Sequence, residues 1–558
     1  MSNPDYLIVG GGSAGAVLAA RLTDNPAVRV LLIEAGADTP PGAVPSDIAD
    51  VFPSSSLNPH YFWPQLRARR RPGGPLYPFP QARIMGGGSS IMGMWALRGM
   101  PSDFEAWADA GAEGWGPLDV RPYYRKLEND LDRDLSQRSA AAPYTIRRPP
   151  RQEWPECAAA LERAAIARGL AVVEDINENP TDGFFPMPVS QSETARSSSA
   201  SAYLTAEVRR RPNLRIMSDS LVTAIRFEER RACGVTVRRG DQETLVSARE
   251  TILSAGAIHS PAMLIRSGIG PEDQLRRLGT APVAVRAGVG QNLQNHPYLN
   301  LALTLPPRSR QDAAIRHFAI AGIRLSSGLE ECPPADLLVF VIGRVSGQAW
   351  GPGLAMAGAA LYAPCSRGSV TLSSPDITVE PDVSFALMSD PRDAPRMLAA
   401  ARFAEGLLFE PGVADTFRDA FLLPPFMALD QFHRPGLAGA LLAHGAKLVL
   451  NAPSVVSRLA LNRMLRPGRW IGNRQRRRPL SDDEILSAVA PMGHVTSTCA
   501  IGRRDDPMAV VDSACRVHGV ENLRVVDASI MPRVPSANTN LTTIMIAERA
   551  AELLARPA

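Results

Sequence analysis

The feature that most constrains this chain is a glycine turn between a short buried strand and a helix, within the first 34 residues. Residues 6–9 are wholly apolar, as in a parallel strand covered on both faces. Three glycines in the pattern G-x-G-x-x-G follow at once, at Gly10, Gly12 and Gly15. Good helix-forming sequence continues over 16–22, and a second apolar run over 28–33 ends at Glu34. This order of strand, turn, helix and strand predicts a Rossmann-like dinucleotide-binding unit.

Each part of the motif has a mechanical reason. The first glycine permits the tight turn, the second lets a pyrophosphate approach the backbone, and the third lets helix and strand pack closely. The N-terminus of the helix favours the phosphates. Glu34, 19 residues beyond Gly15, can accept a hydrogen bond from an adenosine ribose hydroxyl. An acid there disfavours NADP and leaves NAD and FAD open, while an ordinary glycine-rich turn is the competing interpretation.

A second glycine cluster spans Gly86-Gly87-Gly88-Ser89-Ser90 and precedes an apolar stretch over 91–97. Such a loop lets the backbone lie flat against a planar or phosphate-bearing group. Taken alone, it is equally well a plain loop before a buried segment.

Composition excludes several classes of protein. A length of 558 residues indicates two or more domains, and a net charge of +4 is too small to indicate a nucleic-acid partner. The six cysteines contain no Cys-x-x-Cys pair, so we expect no disulfide framework, no metal site and a reducing, cytoplasmic location. No run approaches the roughly 18 apolar residues that cross a bilayer, so we expect no membrane partner.

Further motifs occur in a fixed order along the chain. They are Glu34-Ala35-Gly36, the Gly86 cluster, Ser254-Ala255-Gly256-Ala257 with Ser260-Pro261, the segment from His494 to Gly502, Val525-Val526-Asp527-Ala528-Ser529 and Asn538-Thr539-Asn540. Together with the first glycine turn, this set resembles the glucose-methanol-choline (GMC) oxidoreductases over essentially the whole chain. Within that family the pattern looks most like bacterial oxidases of aryl and furan-type primary alcohols, and it is also similar to choline dehydrogenases.

The resemblance implies FAD as the cofactor and an α/β fold with two domains. A Rossmann-like FAD-binding domain would comprise residues 1–160, 194–297 and 492–558. A substrate-binding domain, built on an antiparallel sheet flanked by helices, would comprise 161–193 and 298–491. The sequence agrees, because the runs at 336–341 and 369–372 predict strands. Helices are predicted over 388–411, 481–490 and 543–555, with a capping box at Ser481 and Glu484.

An alcohol can give up hydride only if its hydroxyl proton leaves before or with the hydride, so a base is needed. The resemblance assigns this role to His494, and an imidazole with a pKa of about 6.5 accepts protons near neutral pH. Asn538 matches the second member of the family's catalytic pair, where its amide would donate to the substrate oxygen. The alternatives are a core histidine and a turn or N-cap asparagine. His296, on another family motif, is predicted to be structural.

The resemblance also implies a set of residues around FAD. Asp527 would bind the ribityl hydroxyls, the backbone of Val222 would meet the adenine, and the last helix, beginning at Thr539, would direct its positive end at the flavin. The full set is Gly10, Gly12, Ser13, Ala14, Gly15, Glu34, Ala35, Gly87, Ser89, Met92, Val222, Asp527, Ala528, Asn538 and Thr539. Ile91 stands where some members tether FAD covalently through histidine, so we expect non-covalent FAD.

The expected partners are a small-molecule alcohol and an electron acceptor, oxygen or another. A choline-type or aliphatic alcohol dehydrogenase and an FAD-containing hydroxynitrile lyase remain as alternatives. Met492-Gly493 stands before the catalytic histidine, where the family often has a bulky aromatic residue, so the pocket is expected to admit a larger substrate. The arginine-rich stretches at 67–71 and 463–478 are predicted to be solvated surface loops, the first with a lid over the pocket as the alternative.

Overall fold

The protein is described here by a computed structural model that covers residues 3–134, 139, 141–312, 314–424, 437–464 and 469–555. The strands of these residues, numbered in chain order, are β1 (Tyr6–Val9), β2 (Val30–Ile33), β3 (Arg67–Arg69), β4 (Leu76–Pro78), β5 (Glu128–Asp130), β6 (Tyr144–Ile146), β7 (Gly183–Pro186), β8 (Leu214–Met217), β9 (Leu221–Glu228), β10 (Arg231–Arg239), β11 (Gln242–Ser247), β12 (Glu250–Leu253), β13 (Ile269–Gly270), β14 (Ala284–Val285), β15 (Pro297–Thr304), β16 (Ala319–Leu325), β17 (Leu337–Ile342), β18 (Leu354–Leu361), β19 (Ser369–Thr371), β20 (Asp382–Ser384), β21 (Asp419–Leu422), β22 (Arg469–Gly472), β23 (Ala490–Pro491) and β24 (Leu523–Val525).

The α-helices of the same residues are α1 (Ser13–Leu22), α2 (Ser46–Ala49), α3 (Gly88–Ile91), α4 (Pro101–Asp109), α5 (Pro117–Leu127), α6 (Glu156–Ala167), α7 (Ser199–Tyr203), α8 (Ala206–Arg209), α9 (Gly256–Arg266), α10 (Glu272–Leu278), α11 (Asp393–Leu408), α12 (Pro411–Ala414), α13 (Leu437–Asn451), α14 (Ser454–Met464), α15 (Asp482–Ala488) and α16 (Thr539–Ala555).

The first glycine turn belongs to a five-stranded parallel sheet with the order β24-β12-β1-β2-β8. Its strands come from the beginning, the middle and the end of the chain. Leu7 and Ile8 in the central strand have no exposed surface, as expected for a parallel strand covered on both faces. The carboxyl ends of such strands meet at one edge, where this class of fold binds its ligands. The predicted α/β fold with a Rossmann-like unit is confirmed.

A second, antiparallel sheet has the order β22-β21-β15-β18-β17-β16-β7, with the short β23 also paired to β15. Helix α11 packs against β18 and β17. The predicted antiparallel sheet with flanking helices is therefore confirmed, whereas the domain boundaries given above stay predictions.

One row of residues crosses this sheet and alternates phenylalanine with glycine. Reading from β15 to β7, the row is Asn300, Gly358, Phe340, Gly322 and Phe185. A Cβ placed on Gly358 would lie 1.9 Å from Cζ of Phe340, and one on Gly322 would lie 2.4 Å from Cζ of Phe185. The far end of each ring thus lies over the glycine of the next strand, in space that any side chain there would fill.

Local predictions agree with the structure except in one respect. The three predicted helices are α11, α15 and α16, and the capping box is formed, with Glu484 N–H donating to Ser481 Oγ at 3.2 Å. The surface-loop prediction is wrong for Arg67–Arg69 and for Arg469–Gly472, because both segments are strands that pair with neighbours. It is also wrong for residues 463–464, which are the end of α14. Residues 465–468 of the second stretch lie outside the described residues.

All six cysteines are free. Among the described helices, none combines the length and the apolar character needed to cross a bilayer.

Candidate active site

A cavity of about 670 Å³ lies where the glycine turn, the start of α16 and one face of the antiparallel sheet meet. Its wall includes Gly10 and Gly12 from the turn, Thr539 from α16, and Asn300 and Phe340 from the sheet. One cavity therefore joins the predicted dinucleotide site to the predicted substrate site.

Backbone atoms form the phosphate end of this cavity. A Cβ on Gly15 would lie 1.9 Å from the carbonyl oxygen of Gly10, so the helix can approach the turn only without a side chain there. A Cβ on Gly87 would lie 2.9 Å from Cα of Gly12, so the second glycine cluster lies directly against the first. Both clusters thus present a surface without side chains, which suits a pyrophosphate.

Two helices direct their N-termini to this end of the cavity. Ser13 at the start of α1 donates from Oγ to Oδ1 of Asn540 in the first turn of α16, at 2.7 Å. Asn540 in turn donates from Nδ2 to the hydroxyl of Tyr144 at 2.7 Å. Because each helix N-terminus carries a partial positive charge, the paired ends favour an anionic group between them.

Glu34 is held at the end of β2 by two backbone amides. Its Oε2 accepts from the N–H of Gly11 at 2.7 Å and its Oε1 accepts from the N–H of Gly36 at 2.8 Å. Burial raises the pKa of this carboxyl, although both hydrogen bonds oppose the rise. Each oxygen keeps further acceptor capacity toward the cavity, as a ribose hydroxyl requires.

Asp527 is fixed in the same way on the opposite side of the glycine turn. Its Oδ2 accepts from the N–H of Gly256 at 2.8 Å and from Oγ of Ser260 at 2.6 Å. Its Oδ1 accepts from the N–H of Ser529 at 2.8 Å. Burial raises the pKa of Asp527 against these bonds. The carboxylate is rigid and lines the cavity, which fits recognition of a cofactor hydroxyl.

His494 lies at the wall of the cavity with both ring nitrogens in hydrogen bonds. Its Nε2 is 3.0 Å from Nδ2 of Asn538, and its Nδ1 is 2.8 Å from Nδ1 of His296. Its backbone N–H donates to Oδ1 of Asn295 at 3.2 Å, which fixes the chain beneath the ring. Burial lowers the pKa of His494 from 6.5 to about 4, because the charged form loses its hydration. The ring is therefore neutral at pH 7, with a lone pair on one of its nitrogens.

Asn538 is oriented by a tyrosine. The hydroxyl of Tyr362 donates to Oδ1 of Asn538 at 3.1 Å, which turns the amide nitrogen toward His494. The Asn538 side chain has a second N–H besides the one that faces the imidazole. An oxygen bound between the two residues would meet one donor and one acceptor.

Aromatic side chains form the wall of the cavity on the side of the antiparallel sheet. Trp95 meets Phe340 edge to face, with ring centroids 4.8 Å apart, and Tyr298 lies beside Phe340 at 6.5 Å. Phe318 and Met356 line the same region. Rings of this kind pack well against a flat apolar group.

The predicted site residues come together with one exception. Those that line the cavity are Gly10, Gly12, Ser13, Ala14, Glu34, Ala35, Gly87, Ser89, Met92, Val222, His494, Asp527, Ala528, Asn538 and Thr539. Gly15 lies outside the wall and acts on the turn through its close approach to Gly10. Tyr362 and the aromatic wall belong to no sequence motif, although the alternating pattern of residues 298–304 places Tyr298 and Asn300 on one face of a strand.

Comparisons with known proteins agree with this arrangement. Two family models described as GMC oxidoreductase match residues 4–298 and 364–547. The 5-(hydroxymethyl)furfural oxidase of Methylovorus sp. strain MP688 is 39% identical, and the alignment covers 99% of this chain and 98% of that protein. An oxygen-dependent choline dehydrogenase of Vibrio vulnificus strain YJ016 is 31% identical over 99% of this chain and 94% of its own.

Among solved structures, pyridoxine 4-oxidase from Mesorbium loti superposes with a TM-score of 0.79 at 28% identity, over 99% of both chains. The glycine turn, the paired helix ends and the two fixed carboxylates fit FAD, the cofactor of this family. The chain therefore belongs to the GMC oxidoreductase family and is an FAD-dependent oxidoreductase that acts on CH–OH donors.

Proposed function

We propose that the protein oxidises primary alcohols with an aromatic or furan ring to aldehydes, and that His494 removes the hydroxyl proton. FAD, bound without a covalent link, supplies the acceptor for the hydride that leaves the alcohol carbon. The observation that carries the proposal is the pairing of His494 with Asn538 at the cavity wall, where Nε2 and Nδ2 lie 3.0 Å apart.

The proton step follows from the state of His494. The neutral imidazole accepts the hydroxyl proton at Nε2, and the electrons of the O–H bond then form the carbonyl as hydride departs from carbon. Its low pKa means that the captured proton is released readily to solvent after turnover. Asn538 donates an N–H to the substrate oxygen and holds it beside Nε2.

The shape of the other wall supports this substrate class. Trp95, Phe340 and Tyr298 offer ring faces and edges to a flat substrate, and the relative that acts on 5-(hydroxymethyl)furfural covers this chain nearly from end to end. Gly493, before His494, carries no side chain to narrow the cavity, so a substituted ring is accommodated.

Anaerobic mixing of the holoenzyme with a panel of alcohols tests the proposal. We expect benzyl alcohol and 5-(hydroxymethyl)furfural to bleach the absorbance of oxidised flavin faster than choline or an aliphatic alcohol does. Faster bleaching by choline would instead support a choline-type dehydrogenase. Release of cyanide from mandelonitrile with no alcohol bleaching the flavin would support a lyase.

A pair of matched variants tests the base. His494→Asn should slow anaerobic flavin reduction by about 10²–10⁴-fold, the usual contribution of general base catalysis. His518→Asn is the control, because His518 is also buried but hydrogen-bonds the carbonyl of Gly502 at 3.1 Å and does not line the cavity. Equal rates in His494→Asn and the wild type would refute the role of the base.

The acceptor for the electrons of reduced flavin is proposed to be oxygen, or another acceptor such as a quinone. Stopped-flow reoxidation of the reduced holoenzyme with each in turn decides between them. If oxygen is the faster acceptor, the protein is an oxidase. The name of its relative, 5-(hydroxymethyl)furfural oxidase, describes that protein in the same way.

A further inference from the structure

We propose that His296 is a positioning residue that fixes the tautomer of His494, so that Nε2 of His494 faces the cavity without a proton. This inference rests on the proposed function of His494 as the base. It assigns a task to a histidine that the motif alone marks as structural.

A backbone carbonyl sets the tautomer of His296. Nε2 of His296 lies 3.1 Å from the carbonyl oxygen of Pro535, which can only accept a hydrogen bond. Nε2 of His296 must therefore carry a proton. In the neutral ring the other nitrogen, Nδ1, then carries a lone pair.

That lone pair determines which ring nitrogen of His494 carries the proton. Nδ1 of His296 is 2.8 Å from Nδ1 of His494, and two lone pairs at this distance would repel. Nδ1 of His494 is therefore the donor, which leaves its Nε2 unprotonated in the neutral ring. The N–H of Asn538, directed at Nε2 from 3.0 Å, agrees with a lone pair there.

This order of donors and acceptors would be lost if His296 were charged, with protons on both nitrogens. His296 has no exposed surface, and burial together with the neighbouring His494 lowers its pKa well below 6.5. The neutral form therefore holds at working pH. Because it carries no net charge, His296 orients its partner without the field that a carboxylate would add.

Tyr362 supports both ends of the arrangement. Its ring stacks on His296 with centroids 4.3 Å apart and an angle of 7° between planes, and its hydroxyl donates to Asn538 at 3.1 Å. One side chain thus fixes the plane of His296 and the orientation of the amide opposite Nε2.

Nitrogen NMR of holoenzyme whose histidine rings are labelled with ¹⁵N measures the tautomer of each ring directly. The signals of His494 are assigned by their loss in His494→Asn. In the wild type we expect a protonated Nδ1 and an unprotonated Nε2. A protonated Nε2 in neutral wild-type enzyme would overturn the proposal, whatever any variant shows.

Two variants at position 296 then separate positioning from packing. His296→Phe keeps a ring against Tyr362 but offers no acceptor, so the His494 signals should shift toward the other tautomer and flavin reduction should slow by at least tenfold. His296→Asn keeps an acceptor within reach and should recover most of both the signal pattern and the rate.

The two proposals fail in different ways. A normal reduction rate in His494→Asn refutes the base itself. A slow His494→Asn together with a His296→Phe that keeps the wild-type rate and signals refutes only the positioning role. If His296→Phe does not fold, the wild-type spectrum and His296→Asn test the inference. A His296→Asn enzyme that keeps the wild-type tautomer of His494 but reduces flavin slowly would also contradict it.

Discussion

Adding one methyl group to the sheet beneath the cavity should change both stability and substrate choice. In Gly358→Ala the new Cβ would lie 1.9 Å from Cζ of Phe340 and 2.2 Å from one Cε, so the ring must move. Overpacking of this kind costs about 1–3 kcal/mol of unfolding free energy. Phe340 lines the cavity, and its displacement should reduce affinity for aromatic alcohols about tenfold or more.

A second glycine in the same row supplies the matched control. Gly322→Ala meets Phe185 in the same manner, with a Cβ 2.4 Å from Cζ, but Phe185 does not line the cavity. Its urea midpoint should fall similarly while the preference between 5-(hydroxymethyl)furfural and an aliphatic alcohol stays unchanged. A Gly358→Ala enzyme with wild-type preference would refute the placement of Phe340 in the substrate wall.

A double-mutant cycle tests the cause of the lost stability. With Phe340→Ala as background there is no ring to displace, and alanine in a strand is better than glycine by roughly 0.5–1 kcal/mol. The effect of Gly358→Ala on the unfolding free energy should therefore change sign, so that the substitution stabilises the Phe340→Ala protein. A loss of the same size in both backgrounds would show that the clash with Phe340 is not the cause.

Three further outcomes follow from the site. Gly15→Ala should yield protein that purifies with little FAD, since its Cβ would lie 1.9 Å from the carbonyl oxygen of Gly10, whereas Gly412→Ala, with nothing within 4 Å, should keep a full complement by flavin absorbance. The pKa of His494 is lower in the folded protein, about 4 against 6.5, so unfolding takes up a proton between these values and stability falls as pH falls. Between pH 7 and pH 5 the unfolding free energy of the wild type, measured with urea, should fall by about 2 kcal/mol more than that of His494→Asn. Equal losses in the two proteins would contradict a neutral buried imidazole at position 494. Asn538→Asp places a carboxylate beside Nε2, so it should raise the pKa of His494 by about 1–3 and shift the acid limb of flavin reduction to higher pH, which an unchanged pH profile would refute.

The sequence predicts best those features that depend on neighbouring residues. The glycine turn, its strand and its helix are encoded within the first 34 residues, and the structure has them as β1, α1 and β2. The capping box at Ser481 is equally local. Each of these elements is fixed by backbone sterics and hydrogen bonds over a few positions.

Contacts between residues far apart in the sequence could not be predicted from local patterns. His296 and His494 are 198 residues apart, so no local pattern shows that their nitrogens meet. The aromatic wall depends on the register of β15, β18 and β17, which the whole sheet sets. Arg67–Arg69 looks like a polar loop because its pairing partners, β4 and β20, lie elsewhere in the sequence.

The link between Ser13 and Asn540 joins positions 527 residues apart, so the order of synthesis matters to this protein. A ribosome that adds roughly 5 to 20 residues per second exposes the glycine turn about half a minute or more before α16 exists. During that interval the nascent chain lacks one of the two helix N-termini that would stabilise anionic groups of FAD. We therefore expect flavin to be held only after α16 has been synthesised, so that a chain truncated before Thr539 would yield a colourless product.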